Sequence, residues 1–375
     1  MNKNFRGECR MNISEVRDLA KEFMLTEAPS GYEGKLAYAM KAHFEQYSDE
    51  VRIDNAGNVI AHFPGTDPKA PRIMVFAHMD TLGFVVRKIE KNGLIQVDRL
   101  GGIPEKVLPA LKLKVRTIDG DYVTGIFGMK SHHQATAEEK YKVDLVTSLF
   151  VDTGAQSAEE VEKLGIHVGC PVIYEPNFYE FLNDQVCGTA ADNRAGCTAL
   201  VDIASQLKGA GQDADVYIVA TVWEEFNIRG AVFAARAIKP DLAIGLDCVM
   251  SGDTPDLSGR YDTGLGKGAA VALYNFHGRG TLNGTLAHNG LYKHALKTAA
   301  ENNLPLQEFA SIGMLTDCAY VQMENNYVGC LDMGFPCRYT HTSSECFNLK
   351  DVAALSDIVA KMVTTIHSDF PVPRY

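Results

Sequence analysis

Four short stretches of the chain are apolar almost without interruption, at residues 73–77, 216–222, 242–246 and 328–333. A strand with one face in water alternates apolar and polar side chains, because successive residues point to opposite faces. These stretches do not alternate, so both of their faces must be covered. That is the signature of a parallel sheet packed between two layers of helices. The covering helices are visible as apolar positions recurring at helical spacing over 195–207, 230–238, 286–300 and 351–366. The expected fold class is α/β, a mostly parallel sheet sandwiched by helices. At 375 residues, 46% hydrophobic and 22% charged, the chain is globular in composition and long enough for two domains.

The amino-terminal part fits the same layering. Ile13, Val16, Leu19, Ala20 and Phe23 mark a helix behind the polar starters Asn12 and Ser14. Leu36, Met40 and Phe44 mark a second helix after the Pro29-Ser30-Gly31 break, and a hairpin turns at Asn55-Ala56-Gly57. From Gly83 the texture changes to short strand-like runs separated by the turn dipeptides Asn92-Gly93 and Asp119-Gly120. A strand is expected over 146–151, then a short helix opened by Ser157 with Glu160 three residues on. The expected division is a discontinuous main domain, 1–82 and 175–375, interrupted by a small all-β insertion, 83–174. Residues 1–10 are polar, carry no apolar export signal, and read as a dispensable extension.

Composition excludes several partners. The net charge of -11 comes without clustered Lys and Arg, so no nucleic-acid partner is expected. No apolar run approaches the roughly 18 residues that span a bilayer, so no membrane partner is expected either. The nine cysteines are scattered, odd in number and never form a C-x-x-C pair. Reduced thiols and a cytoplasmic location follow more simply than a disulfide framework.

The chemistry gathers where the apolar stretches end. In open α/β sheets ligands bind beyond the carboxyl ends of the strands. The first stretch runs into His78-Met79-Asp80, the second into Trp223-Glu224-Glu225, the third into Asp247, and the last leads through Arg338 to His341. Asp192 stands at the head of the helix over 195–207. Each has a plainer reading: Asp192 as an ordinary helix cap, Glu224 and Glu225 as a solvated loop pair, His78 as a core histidine, Asp247 as the cap of a turn. Together they repel one another at buried strand ends unless a cation is present, and the metal reading wins on that ground.

The donor set also selects the metal. Two imidazoles with several carboxylates suit zinc, cobalt or manganese better than magnesium or calcium, which prefer all-oxygen sites. Two metals about 3.5–4 Å apart need a bridging carboxylate and an open position for water, and Asp192, central in the set, is a sensible bridge. His78 and Asp80 are two apart and share a face of an extended segment, so Asp80 can accept from the His78 ring nitrogen that does not bind metal. Neighbouring Glu224 and Glu225 cannot both reach one atom. One can ligate while the other stands beside the water and carries its proton.

These segments together resemble the TET and glutamyl aminopeptidase family of co-catalytic di-metal aminopeptidases, some members of which are labelled endoglucanases. The resemblance rests on His78-Met79-Asp80-Thr81-Leu82-Gly83, Ala191-Asp192-Asn193-Arg194-Ala195-Gly196, Glu224-Glu225 with Arg229-Gly230-Ala231, Asp247 with Gly252-Asp253-Thr254-Pro255, and Arg338-Tyr339-Thr340-His341-Thr342. It implies one metal on His78, Asp192 and Asp247, a second on Asp192, Glu225 and His341, Glu224 as general base, and Asp80 as the residue orienting His78. It further implies two divalent metals per subunit, zinc foremost, with peptide substrates and a cytosolic homo-oligomer. Its dimers form through the insertion and assemble in some members into dodecamers. Within the insertion, the stretch from Gly125 to Lys130 with His133 is similar to the family's segment before a histidine. Thr81, Trp223 and Phe226-Asn227 depart from the family's usual residues, which bears on substrate preference and removes no ligand.

The expected activity is removal of N-terminal residues from peptides by metal-activated water. A di-metal deacylase of small N-acyl substrates, and a non-catalytic assembly protein that keeps the fold, are the alternatives. A glycosidase would need two carboxyls facing across a sugar and no metals. Gly264-Leu265-Gly266-Lys267-Gly268 has the look of a nucleotide loop, but a strand-like run follows where a phosphate cradle needs a helix, so it reads as a turn. His132 and His133, with no acids nearby, read as surface residues, and Trp223 as a packing residue at a strand end.

Overall fold

The computed structural model describes residues 10–277 and 283–374. The extension expected at 1–10 falls outside it except for Arg10, which pairs with Asp357 at 2.7 Å; Cys9 also lies outside. The main sheet runs in the order Glu50–Ile53, Val59–Phe63, Asp215–Thr221, Arg72–His78, Leu242–Met250, Gly329–Cys337, Ala269–Phe276, Gly284–Leu286, with Leu306–Ile312 also paired to Ala269–Phe276. Its four central strands, from Asp215–Thr221 to Gly329–Cys337, are mutually parallel, and the antiparallel pairings lie towards the edges.

Alternate residues of each central strand enter different cores. Ile73, Val75 and Ala77 pack with Val216, Ile218 and Ala220 beneath the helices Ile13–Met24, Ala191–Leu207 and Leu349–Thr364. Met74 and Phe76 pack with Val219 beneath Gly230–Ile238. Both faces are therefore dry, which is why these strands read as continuous apolar runs. The first helix starts as its sequence indicates: Asn12 accepts from the amides of Ser14 and Glu15, and Glu15 answers with a bond from the Asn12 amide, a capping box.

Between Gly83 and Tyr174, six short strands close into an antiparallel barrel in the order Gly83–Ile89, Ile95–Leu100, Phe150–Asp152, Tyr122–Gly128, Lys112–Arg116, Pro171–Tyr174. Its core includes Phe84, edge-on to Phe127 at 5.0 Å and to Tyr174 at 6.0 Å. Some local expectations are corrected. Val146–Ser148 is a 3-10 turn and only Phe150–Asp152 is strand. The helix expected over 286–300 is Asn289–Glu301, entered through His288, whose ring accepts from the Leu291 amide. The last central strand continues through Pro336 to Cys337. Leu306–Ile312 and a three-stranded sheet of Phe178–Glu180, Gln185–Gly188 and Glu345–Asn348 went unanticipated, because their sequences are too short or too polar to show periodicity. The glycine-rich segment is a turn, its Gly266 and Gly268 amides held by Asp351 at 2.7 Å each, and it leads into the strand Ala269–Phe276.

One buried side chain ties the hairpin to the end of a central strand. Asn58, fully buried, accepts from the Val222 amide at 3.1 Å and donates to the Gly230 carbonyl at 3.1 Å and to Asp54 at 2.8 Å. Replacing it with Ala leaves an amide and a carbonyl unpaired in the interior, so Asn58→Ala should lower unfolding free energy by about 2–4 kcal/mol. Urea titration of the metal-loaded protein checks this, and a loss below about 1 kcal/mol would show that these bonds are dispensable.

Candidate metal centre

The parallel order of the central strands decides which side chains meet. Arg72–His78 ends in His78. On one side lies Asp215–Thr221, whose continuation carries Glu224 and Glu225; on the other lies Leu242–Met250 with Asp247, and beyond it Gly329–Cys337, which leads to His341. All four thus deliver donors at the same edge. Asp192 enters from the start of Ala191–Leu207, where Asp192 and Asn193 have non-helical torsions. Asn193 does the capping there: its Oδ1 accepts from the Gly196 amide at 3.1 Å and its Nδ2 donates to the Leu246 carbonyl at 2.7 Å. The Asp192 carboxylate is left to face the site.

The donors form two groups that share Asp192. His78, Asp192 and Asp247 make one, and Asp192, Glu225 and His341 the other; within each, one ligating atom per residue lies within 4.8 Å of the rest. Asp192 Oδ1 is 3.0 Å from His78 Nε2, and its Oδ2 is 3.5 Å from His341 Nε2. The adjacent glutamates diverge, as neighbours on one backbone must. Glu224 Oε2 stands 4.0 Å from His78 Nε2, while Glu225 Oε1 stands 3.9 Å from His341 Nε2.

Both histidines are oriented through Nδ1. His78 Nδ1 lies 3.0 Å from the Asp80 carbonyl and 3.6 Å from the Asp80 carboxylate, so the nearer partner is the backbone oxygen and not the carboxylate that spacing suggested. His341 Nδ1 donates to the Gly102 carbonyl at 2.7 Å, which leaves each Nε2 free to ligate. The buried Asp80 carboxylate instead accepts from the Ser30 hydroxyl at 2.6 Å and from the amides of Glu224 and Glu225 at 2.9 and 3.1 Å. Glu33 supports the same loop through the Trp223 amide at 3.3 Å. Sequence reasoning singled out neither Ser30, Gly102 nor Glu345, whose carboxylate holds the amides of His341 and Asp192 at 2.5 and 3.0 Å. A lone Ser, Gly or Glu carries no spacing signal.

Electrostatics test whether these residues suit cations. Burial, then the charges of neighbouring acids, drive Glu224 and Asp247 well above the usual carboxylate range and Glu225 up to about 7. Burial opposes the charged form of His78 and His341, yet Asp192 and the nearby glutamates outweigh it and raise both. Asp192 moves the other way: burial favours its neutral form, but the His341 and His78 contacts hold it ionised. Glu225 Oε1 is buried with no hydrogen-bond partner. A buried acceptor without a donor is costly, and a cation between these groups removes that cost. The residues fit metals.

The chain matches the M42 glutamyl aminopeptidase family over residues 57–358. It belongs to that family. The protein SgcX of Escherichia coli (strain K12) is 39% identical over 358 residues, covering 95% of both chains. The lysyl aminopeptidase of Pyrococcus furiosus is 32% identical, covering 89% of this chain and 93% of its own. Among solved structures, a TET aminopeptidase from a marine-sediment Thaumarchaeota archaeon superposes with a TM-score of 0.87 at 30% identity, covering 94% of this chain and 98% of its own. The protein is accordingly a hydrolase, an aminopeptidase of the M42 family, with two candidate metal-binding groups at its centre.

In this M42 peptidase the two groups open into a cleft of about 770 Å³, lined among others by Arg99, Phe226, Ile228, Met250, Met314 and Tyr320. Phe226 and Asn227, which depart from the family's usual pair, are on its wall; Trp223 is not, and packs edge-on to Phe233 at 6.1 Å. His132 and His133 are exposed, away from the cleft. No helix among the described residues is long and apolar enough to cross a membrane, and the eight described cysteines are free.

The direction of these shifts fixes how the metal-free protein responds to pH. Folded Glu225 keeps its proton to about 7, while the unfolded chain releases it near 4.5. Between those values the folded state binds more protons, so stability falls as pH rises. Raised Glu224 and Asp247 act in the same sense, as do His78 and His341, whose protons persist above 6.5 only when folded. Depressed Asp192 contributes only at more acid pH. The melting temperature of metal-free protein should therefore fall from about pH 5 to about pH 8, and saturating zinc should lessen that slope, leaving the share of Glu33, Asp317 and Glu345, which burial raises to about 7, 7 and 8. Calorimetric scans across that range check it; a melting temperature that rises with pH contradicts the crowding.

Proposed function

We propose that this protein removes N-terminal residues from peptides, using a Glu224-assisted attack by water at a site holding two divalent metals. The observation that carries the reading is that one buried carboxylate, Asp192, belongs to both donor groups while Glu224 stands beside them and belongs to neither. His78, Asp192 and Asp247 hold one metal, and Asp192, Glu225 and His341 the other. Bound there, two cations, zinc by preference with cobalt or manganese also suited, supply Lewis acidity at the scissile carbonyl and make water nucleophilic near neutral pH.

The side chains do the rest. Glu224 takes the proton from the attacking water and delivers it to the leaving amine; its burial raises its proton affinity, which suits a group that must accept and return a proton in one turnover. Asp80 fixes the amides of Glu224 and Glu225, so that one side chain is aimed at the His78 side and its neighbour at the His341 side. A free peptide terminus offers a basic amine that can meet the metal-bearing floor or its carboxylate shell, and an acylated terminus offers none.

Two wider readings accompany this one. Free, scattered cysteines suit a reducing cytoplasm. The barrel carries the exposed apolar residues Ile126, Met129 and Leu145, a surface suited to dimerisation through the insertion, and larger assemblies would build on that dimer.

Glu224→Gln keeps the size of the side chain and removes its basicity. It should lower kcat by about 10²–10⁴-fold while metal content, read by emission spectroscopy, stays at the wild-type value; unchanged turnover overturns the role of Glu224. Separately, a chelator should abolish hydrolysis of unblocked aminoacyl substrates and zinc should restore it. N-acetylated versions of the same peptides should resist cleavage throughout. Preferential cleavage of the acetylated peptides would instead favour a deacylase.

A further inference from the structure

Glu345 lies at the start of the strand Glu345–Asn348 and is 2% exposed. Its two oxygens accept from two backbone amides that are remote in sequence, His341 at 2.5 Å through Oε1 and Asp192 at 3.0 Å through Oε2. The strand itself joins the same two segments. On one side Glu345 and Cys346 pair with Gly188 and Cys187, just ahead of Asp192. On the other, the Arg338 amide donates to the Cys346 carbonyl at 2.8 Å and the Cys346 amide returns a bond at 3.0 Å, just ahead of His341. His341 is on a turn with φ of +68°, a left-handed conformation uncommon for a residue with a side chain, and its ring is held separately by the Gly102 carbonyl at 2.7 Å. The hydrogen bond from its backbone N–H to Glu345 is the contact that ties this turn to the Asp192 segment. Neither His78 nor Asp247 bonds to Glu345; each is set by its own central strand.

We propose that Glu345 is a positioning residue, which touches neither substrate nor metal and sets the separation of Asp192 and His341, and through it the affinity of the metal position formed by Asp192, Glu225 and His341. The inference rests on the two-metal reading above. A carboxylate is the residue type this demands. Facing two N–H donors, it accepts at both oxygens. A glutamine has one accepting oxygen and would turn an NH2 group against the second amide; an alanine leaves both amides unpaired in the interior.

The test titrates metal-free protein with cobalt, following visible absorption and heat. Wild type should bind two ions. In Glu345→Gln the first should bind with affinity close to wild type and the second about 10–100-fold more weakly, the range seen when a group that orients ligands is removed. Glu345→Ala should weaken the second position further. Saturating cobalt should restore much of the hydrolysis in Glu345→Gln, because the ligands and Glu224 are intact. Unchanged affinities in both variants overturn the proposal, as do equal losses at both positions. Circular dichroism of the metal-free variants separates positioning from folding: if both are unfolded where wild type is folded, Glu345 is a folding residue and the proposal fails. Wild type that binds fewer than two ions would instead sink the two-metal reading on which the inference stands.

Discussion

Negative charge buried at the ends of parallel strands is the constraint around which the molecule is organised. Asp192 is 7% exposed and His78 2%, and Glu224, Glu225 and Asp247 crowd the same space. Unpaired carboxylates in such surroundings take up protons, and burial pushes three of these groups in that direction. A folded chain keeps such a cluster only if something else offsets its cost. Part of the offset is in the scaffold, since Asp247 stands on a central strand, Asp192 at the start of a helix, and Glu224 and Glu225 in the turn after another central strand, all anchored to dry, closely packed cores. The remainder must come from positive charge between the acids, which is why the two histidines alone, both shared with Asp192, are insufficient company for this many carboxylates.

The sheet solves a geometric problem that loops alone could not. Parallel strands place all their carboxyl ends on one edge, so residues distant in sequence become neighbours a strand apart. His78, Asp247 and the segments leading to Glu224 and His341 come from four adjacent strands. The barrel also enters the site, with Arg99 lining the cleft and the Tyr174 hydroxyl donating to the His341 carbonyl at 3.4 Å. Gly102, just past the barrel strand Ile95–Leu100, fixes His341. At Gly102 a Cβ would meet the His341 ring at 3.2 Å, tight enough to push the ring by a few tenths of an ångström. The inserted barrel is thus coupled to the catalytic geometry as well as packed beside it.

Much of this was legible because burial on two faces leaves a mark in the sequence. The central strands Arg72–His78 and Asp215–Thr221, and the helices Ala191–Leu207, Gly230–Ile238 and Leu349–Thr364, repeat their periodicity over enough residues to be read. The donor residues were legible by position, since His78, Glu224, Glu225 and Asp247 stand at the ends of apolar runs, Asp192 heads a helix, and His341 lies a few residues past the last strand. Leu306–Ile312 and Glu345–Asn348 escaped because a strand that is largely polar or very short resembles a loop. Val146–Ser148 misled because branched residues favour strands, while the turn that closes the barrel overrode that preference. The contacts of Asp80 lay beyond reach for a different reason. Spacing placed its carboxylate near His78, but which acceptor of a residue faces the ring depends on a backbone turn that no side-chain pattern encodes.

That last case points to what distinguishes the acids from one another. Asp80 and Glu345 are buried carboxylates within the same region as Asp192 and Glu225, and by residue type they are equally good ligands. They differ in what meets them. Backbone amides converge on both oxygens of Asp80 and of Glu345, so each oxygen already accepts a hydrogen bond from a fixed donor. Asp192 meets two imidazole nitrogens, and Glu225 keeps a buried oxygen with no donor at all. Acids answered by fixed N–H groups act as struts, and acids left facing other acids and imidazoles make up the candidate metal-binding groups. The division follows from hydrogen-bond supply, and each strut joins two segments that carry residues of the candidate metal-binding groups. The two roles depend on each other: ligands can stay unsatisfied because the struts hold their backbones still, and the struts are needed because the ligands repel.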